Sequence, residues 1–428
     1  RLLPKMLPEI AKADFPNAAF AAFQDIISSL PAGVQIFALL ENNPSLVGLL
    51  SNILVKAPRL TEILRYNNYL LDDLLENQFF QQLPDKNAIK EILSNEIINT
   101  STEKALDLIR KRNKSWQFQA DVHLLEAISE SDEISTFRSN VASECLSKII
   151  QLALKDLAAR HGNIENNYEI IALGRLATYS LTAHSDLDLI LIYENRHRAS
   201  SKSEEQLGLS SYFIRLTQLI TNWMSLKTSH GRLYELDLRL RPDGNAGPLA
   251  VSIDRLSSYY QNEAWIWEFF AFRNARLLLN NTKFSDEVSQ VISFIRSRAF
   301  KQNELIESFK EIIHKRNLET YPFWNLKQQH GGLLDCSFAL YILQKLEKNY
   351  PALTNRLNKI HKRFDNIIQQ LSTRLISHNQ NELPDRVMHF IAVQLNYGNA
   401  KLLKAQICVD LQFIKKILTI LLDYKINK

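Results

Sequence analysis

A run of ten residues, HSDLDLILIY at positions 184–193, limits what this chain can be more than any other stretch. Its apolar, β-branched and aromatic content reads as a buried strand, yet Asp186 and Asp188 open it. Residues i and i+2 of a strand share a face, so both carboxylates project from one side about 7 Å apart, while Leu187 and Leu189 turn to the core. Two like charges at that spacing repel each other unless a cation sits between them. Oxygen donors of this kind suit a hard divalent ion such as Mg²⁺. The plainer alternative is a strand end that runs out into solvent, with Asp186 capping a turn.

Helical patterning surrounds this strand on both sides. Residues 1 to about 160 carry apolar positions at i, i+3 and i+4, as in LTEILRYNNYLLDDLLENQFF at 60–80, with Pro31, Pro44 and Pro58 breaking the region into short helices. Between about 168 and 252 the character changes. YEIIALG, LDLILIY, GRLYELDLRLRP and GPLAVS read as short strands bounded by glycine or proline, with one helix, LSSYFIRLTQLITNWMSL, among them. ENRHRASSKSEEQ at 194–206 reads as an exposed loop. From 254 onward helical periodicity returns, strongest in RLSSYYQNEAWIWEFFAFRNARLLL at 255–279. The fold class expected is therefore α+β, a small mixed sheet flanked by largely helical N- and C-terminal regions. The expected segments are a helical region over 1–110, a catalytic domain over 111–285 and a helical domain over 286–428.

Composition excludes several classes. No apolar run approaches the roughly 20 residues of a membrane span. The formal charge of +5 over 428 residues is spread along the chain, which argues against nucleic acid as a partner but leaves a phosphate-bearing small molecule open. Cys145, Cys336 and Cys408 have no metal-type spacing and fit free thiols in a reducing cytoplasm. A start at Arg1 reads as a piece of a longer polypeptide.

Around Asp186 the pattern becomes chemical. IIALG ends at Gly174, followed by Arg175 at a turn into a short helix, a strand–glycine–helix arrangement that suits phosphate. Downstream, alternation in YELDLRLRP puts Asp237, Arg239 and Arg241 on one face and Leu236, Leu238 and Leu240 on the other. A third carboxylate on a neighbouring strand would complete a two-metal cage.

A glycine turn, a DxD on one strand and a third acid on another resemble the nucleotidyltransferase fold of the DNA polymerase β superfamily. SDLDLILIY, YELDLRLRPDGNAGPLAVS, YYQNEAWIWEFFAFRNAR and HGGLLDCSF together resemble the glutamate–ammonia-ligase adenylyltransferase family, which adenylylates and deadenylylates glutamine synthetase through two homologous halves. The LYELDLRLRP and NEAWIWE wording is nearer to the C-terminal, adenylylating half. The resemblance implies a polymerase-β-like core with Asp186, Asp188 and Asp237 as catalytic and metal-binding acids. It implies Gly174, Arg175, Ser185, Arg239 and Arg241 as nucleotide-binding residues, two Mg²⁺ ions and ATP. Its implied partners are glutamine synthetase, the PII signalling protein and glutamine as effector. Departures from the family pattern are Arg175 for lysine, Ala177 and Thr178 for glycines, Ser180 and Ser337 for glutamates, and Asn274 for the first arginine of an RAR element, with Arg276 in register.

Bland readings stand beside these. Arg239 and Arg241 suit triphosphate contact or simple ion pairing to the acids. Trp265 and Trp267, with Glu263 and Glu268, are expected to serve core packing and capping. His184 reads as a solvated turn residue, and Gly331 and Gly332 after His330 as a tight turn, with Asp335 nearby. Besides the adenylylating enzyme, the deadenylylating half and a catalytically weakened binding module remain open.

Overall fold

The expected strands at 168–174 and 187–193 form an antiparallel pair. In the computed structural model, which describes residues 3–28, 43–162, 167–195, 208–279, 283–375 and 382–423, β1 (Tyr168–Ala172) pairs with β2 (Leu187–Tyr193), from Tyr168 opposite Tyr193 to Ala172 opposite Leu189. Two short strands run parallel to β2 on its other side. β3 (Leu236–Asp237) aligns with the start of β2, Asp188 opposite Asp237, and β4 (Ala250–Ser252) aligns with its end. β5 (Arg276–Leu277) pairs antiparallel with β1, giving the order β3-β2-β1-β5 with β4 also on β2. A parallel return needs a crossover, and the helix Leu209–Ser225 lies between β2 and β3 in the chain.

β2 is covered on both faces, as its near-continuous apolar run requires. Ile190 and Ile192 pack with Ile171 and Val251 against Leu256, Tyr260, Phe269 and Phe272. The opposite parity ends in Tyr193, whose ring lies flat on Phe213 at 5.0 Å and 7°. Tyr168 reaches the same Phe213 ring at 6.0 Å, so one buried aromatic of the crossover helix closes the far end of the β1–β2 pair. Burying each such ring stabilises the fold by about 2 kcal/mol. Within β2 only Asp188 escapes full burial.

β1 also buries a carboxylate that periodicity does not single out. Glu169 is fully buried. It accepts hydrogen bonds from the Leu279 amide at 3.0 Å and the Ser285 hydroxyl at 2.8 Å, which ties β1 to the chain leaving β5 and to the helix Lys283–Ser297.

The α+β class holds, with two departures in detail. The alternation from Leu236 to Arg241 does not stay a strand: pairing stops at Asp237 and residues 239–240 turn. The helical stretch 255–279 divides into Ile253–Asn262, Ile266–Ala271, a single 3₁₀ turn and β5. The loop expected at 194–206 lies, after Asn195, outside the described residues, as does Pro31.

By compactness the chain divides into two units: one of residues 84–116 and 135–304, holding the sheet, the other of 1–83, 117–134 and 305–428. Three of the four boundaries fall inside helices, Thr102–Leu125, Ser131–His161 and Gln302–Asn317, where periodicity is unbroken and gives no sign of which core a given turn joins. The second unit is helical among its described residues. Pro44 and Pro58 open helices there, a position where the missing N–H costs nothing. Its core includes Met6, Phe23, Leu50, Ile53, Leu60, Phe118 and Val122. Buried Asp121 joins distant parts of this unit, accepting from Arg59 at 2.6 Å and Thr373 at 2.8 Å. No helix among the described residues is long and apolar enough to cross a membrane.

Candidate active site

The β1–β2 register brings the glycine turn onto the acidic strand. The Leu173 amide donates to the Asp188 carbonyl at 2.9 Å, and the chain then enters a four-residue helix, Gly174–Ala177. Gly174 takes φ +52°, the left-handed region, and a Cβ built there would stand 2.0 Å from Asp188 Oδ2. Glycine is required twice over, by backbone angle and by space.

Asp186 precedes β2 and is exposed; Asp188 is half-buried. Asp237 on β3 is the cross-strand partner of Asp188, and neighbours of this kind have Cβ atoms roughly 5 Å apart. Ser185 is held in the turn ahead of the strand, its hydroxyl accepting from the Thr182 amide at 2.9 Å. Arg175 donates to the Ser180 carbonyl at 2.7 Å, and Thr178 meets the Ser180 hydroxyl at 2.7 Å, so the residues of this turn bond to one another.

The two arginines after Asp237 differ sharply. Arg239 wraps onto Asp237: its backbone amide donates to Oδ1 at 2.9 Å, Nε reaches both oxygens at 3.0 Å, and a terminal nitrogen closes on Oδ2. Its affinity for its proton is raised first by the hydrogen bonds and charge of Asp237 and further by Asp186 and Asp188, so all three carboxylates act on one guanidinium. Arg241 is buried and donates to the carbonyls of Pro248 at 2.8 Å, Leu238 at 2.6 Å and Gly247 at 3.0 Å. Burial lowers its pKa. That fork holds the loop after β3.

A second clamp extends this loop. Asp243, at φ +64°, is gripped by Arg255 at 2.8 Å, and Arg255 also bonds Glu263 through Nη2 at 3.0 Å. Arg255 went unnoticed in the sequence; the Pro242-Asp243-Gly244 turn signature was the available signal that the strand pattern must end. Glu268 caps its helix through the Trp265 amide at 2.7 Å and accepts from the Tyr259 hydroxyl at 2.9 Å, with its pKa raised by burial. Capping is thus as expected, but core packing is not: Trp265 is 68% exposed and Trp267 41%. Their helix is only six residues long and its buried face is taken by Phe269 and Phe270.

As donors, three carboxylates suit a hard divalent ion. With Asp237 held by Arg239, however, no three acidic, histidine or cysteine side chains among the described residues converge closely enough to hold a metal ion.

In the helical unit, HGGLLDCSF makes the tight turn. Gly331 has φ +76° and its missing Cβ lets Leu411 O approach. Asp335 pairs with Arg316 and accepts from the Gly331 amide at 2.7 Å. Ser337 is buried, bonded to the Leu333 carbonyl at 3.0 Å and His361 at 3.2 Å.

A family model described as glutamate-ammonia ligase adenylyltransferase matches residues 47–291. The bifunctional glutamine synthetase adenylyltransferase/adenylyl-removing enzyme of Bradyrhizobium diazoefficiens is 32% identical over 355 residues, covering 81% of this chain and 36% of that protein. The proteins of the same description from Rhodopseudomonas palustris (31% over 349 residues) and Brucella suis (32% over 342 residues) each align over 35% of their length and 80% and 79% of this chain. The chain spans about a third of the length of the curated relatives it matches.

Proposed function

The chain belongs to the glutamate–ammonia ligase adenylyltransferase family, and from that membership we propose that it moves AMP from ATP to a tyrosine of glutamine synthetase. The observation that carries the reading is the cross-strand pairing of Asp188 with Asp237, with Gly174 packed on Asp188 and Asp186 two residues upstream. In this reading residues 111–285 are the catalytic segment with a polymerase-β-like core, and the chain corresponds to the adenylylating half.

Asp186, Asp188 and Asp237 would hold Mg²⁺, which when bound supplies charge neutralisation at the attacking and leaving oxygens of displacement at the α-phosphorus. Asp237, the cross-strand partner of Asp188, would help draw the proton from the incoming hydroxyl. Gly174 gives the triphosphate close access to backbone, with Arg175 and Ser185 beside it, and Arg239 supplies a cationic fork for phosphate oxygens. Arg241, tied to three carbonyls, shapes the loop from within. Positioning and electrostatics then supply most of the rate. A cytoplasmic setting, the PII protein and glutamine as effector complete the proposal.

Labelled ATP offered with unmodified glutamine synthetase, with RNA and without acceptor tests it. Transfer of AMP to glutamine synthetase alone, with pyrophosphate released, is the expected result. Phosphorolysis of adenylylated glutamine synthetase without forward transfer would reassign the chain to the deadenylylating half. Inactivity both ways with intact partner binding would favour a weakened module and point to Ala177, Thr178 and Ser337.

A further inference from the structure

Glu144, on the helix Ser131–His161, is only 6% exposed, and among the described residues its carboxylate accepts no hydrogen bond. Its ion pair with Lys86 Nζ spans 3.7 Å, beyond hydrogen-bond reach. The buried Lys148 on the same helix donates to the Ser94 hydroxyl at 2.7 Å instead. Burial lowers the pKa of Lys148, Glu144 raises it and Lys90 lowers it again, so these charges sense one another. A buried carboxylate left without hydrogen bonds costs folding free energy. What Glu144 faces is a cavity of about 480 Å³ within the sheet-bearing unit. Lys86 and Lys90 stand exposed at its mouth, one turn apart on the helix Lys86–Glu96. Tyr168 at the start of β1 and Leu278 after β5 give it an apolar wall. Tyr168 is at the end of β1 remote from Gly174, about 13 Å of strand away from Ala172, which sets this cavity apart from the acids.

We propose that this cavity binds a phosphorylated sugar, its vicinal hydroxyls donating to Glu144 and its phosphate accepting from Lys86 and Lys90. The cavity offers an acceptor inside and two cations at the mouth, so its ligand carries the reverse, hydroxyl donors at one end and an anion at the other. A carboxylate takes the hydroxyls of a diol as acidic residues take those of ribose. Ammonium groups on flexible stems suit phosphate oxygens. A plain cation meets the two lysines, and a plain anion meets Glu144; a molecule with both functions satisfies each. The apolar wall receives the C–H face of the ring, and the volume suits a small ligand. A free sugar phosphate and a mononucleotide share this chemistry. The site stands apart from the nucleotidyl-transfer reading of the acids.

The test is titration calorimetry of the 428-residue chain with ribose 5-phosphate and with AMP, and with inorganic phosphate and ribose as controls. Ribose 5-phosphate should bind about tenfold or more tightly than either control, because it alone of the three engages both ends of the cavity. Glu144→Gln and Lys90→Gln should each weaken it about tenfold, through a lost charge-assisted contact. The melting temperature of Glu144→Gln should be unchanged or raised, since the variant removes a buried charge that no hydrogen bond satisfies. Asp186→Asn should bind as the wild type does. Equal affinity for AMP supports the site with the sugar phosphate as the unit recognised; tighter binding of AMP, equally weakened by Glu144→Gln, supports it with a mononucleotide as occupant. The proposal is overturned if the wild type binds neither probe, if inorganic phosphate binds as well, if Glu144→Gln leaves the affinity unchanged, or if Asp186→Asn abolishes it.

Discussion

Gly174 and Asp188 occupy space that a single added carbon would contest: a Cβ on the glycine would lie 2.0 Å from the aspartate's Oδ2. The turn that ends β1 and the carboxylate that opens β2 are therefore one fitted piece, and its parts fail together.

Gly174→Ala should destabilise the chain by about 1–2 kcal/mol, from the left-handed φ of 52° and the contact with Asp188. It should lower AMP transfer by more than the loss of folded protein explains. Urea unfolding beside a transfer assay at saturating ATP separates the two effects. Full activity in a folded Gly174→Ala would mean that the Asp188 carboxylate can move without consequence.

Asp188→Asn should leave thermal stability unchanged or slightly raised, because it removes one of three clustered charges. Transfer should fall at least about a hundredfold, as expected when a group stabilising transition-state charge is lost. Asp186→Asn should behave alike. Near-normal turnover with Mg²⁺ by either variant contradicts the assignment.

Arginine-to-lysine changes should divide the two neighbours. Arg239→Lys should alter stability by less than about 1 kcal/mol, because the arginine is largely exposed and a lysine still reaches the Asp237 carboxylate. Arg241→Lys should cost about 2 kcal/mol, since an ammonium cannot reproduce a fork spread over three carbonyls. Differential scanning calorimetry of the two proteins decides it, and equal costs would contradict the division.

Acid should weaken the helical unit through His123. This residue is fully buried, with Nε2 2.7 Å from the Phe79 carbonyl and Nδ1 3.2 Å from the Ser129 hydroxyl, and burial lowers its pKa from 6.5. The unfolded chain therefore takes up a proton more readily than the folded one. The contribution is fully present above 6.5 and is lost as pH falls through the lower folded value. The urea midpoint should drop over that window, and His123→Gln should flatten the drop; an equal slope in the variant would exclude His123 as its source.

Legibility followed the length of the pattern. β1, β2 and the helix Leu209–Ser225 were readable because each has five or more residues of consistent period. The pairing of Asp188 with Asp237 was expected only as acids on neighbouring strands, since register is a tertiary property. β3 and β5, two residues each, are too short to print a period, and β5 hides inside a helical-looking run. The exposure of Trp265 was missed because a tryptophan between apolar residues looks like core, whereas the Glu268 cap fixes its turn facing outward. Glu169 was invisible because its partners, Leu279 and Ser285, lie more than a hundred residues away.

The discontinuous division of the chain has a consequence for the order in which a ribosome would deliver it. Residues 1–83 emerge first, yet the remainder of their unit is 117–134, which interrupts the sheet-bearing unit, and 305–428, which follows it. The interior unit is fully synthesised at residue 304, while its older neighbour still lacks more than a hundred residues. The usual rule that the N-terminal part folds first is inverted here. Early helices such as Pro44–Lys56 and Pro58–Tyr66 share their core with Phe118 and Val122, which emerge before the sheet, so what their unit still lacks when the sheet is complete is 305–428. Nascent chains halted near residue 304 should therefore protect the sheet-bearing unit from protease more fully than residues 1–83, whose unit still lacks 305–428.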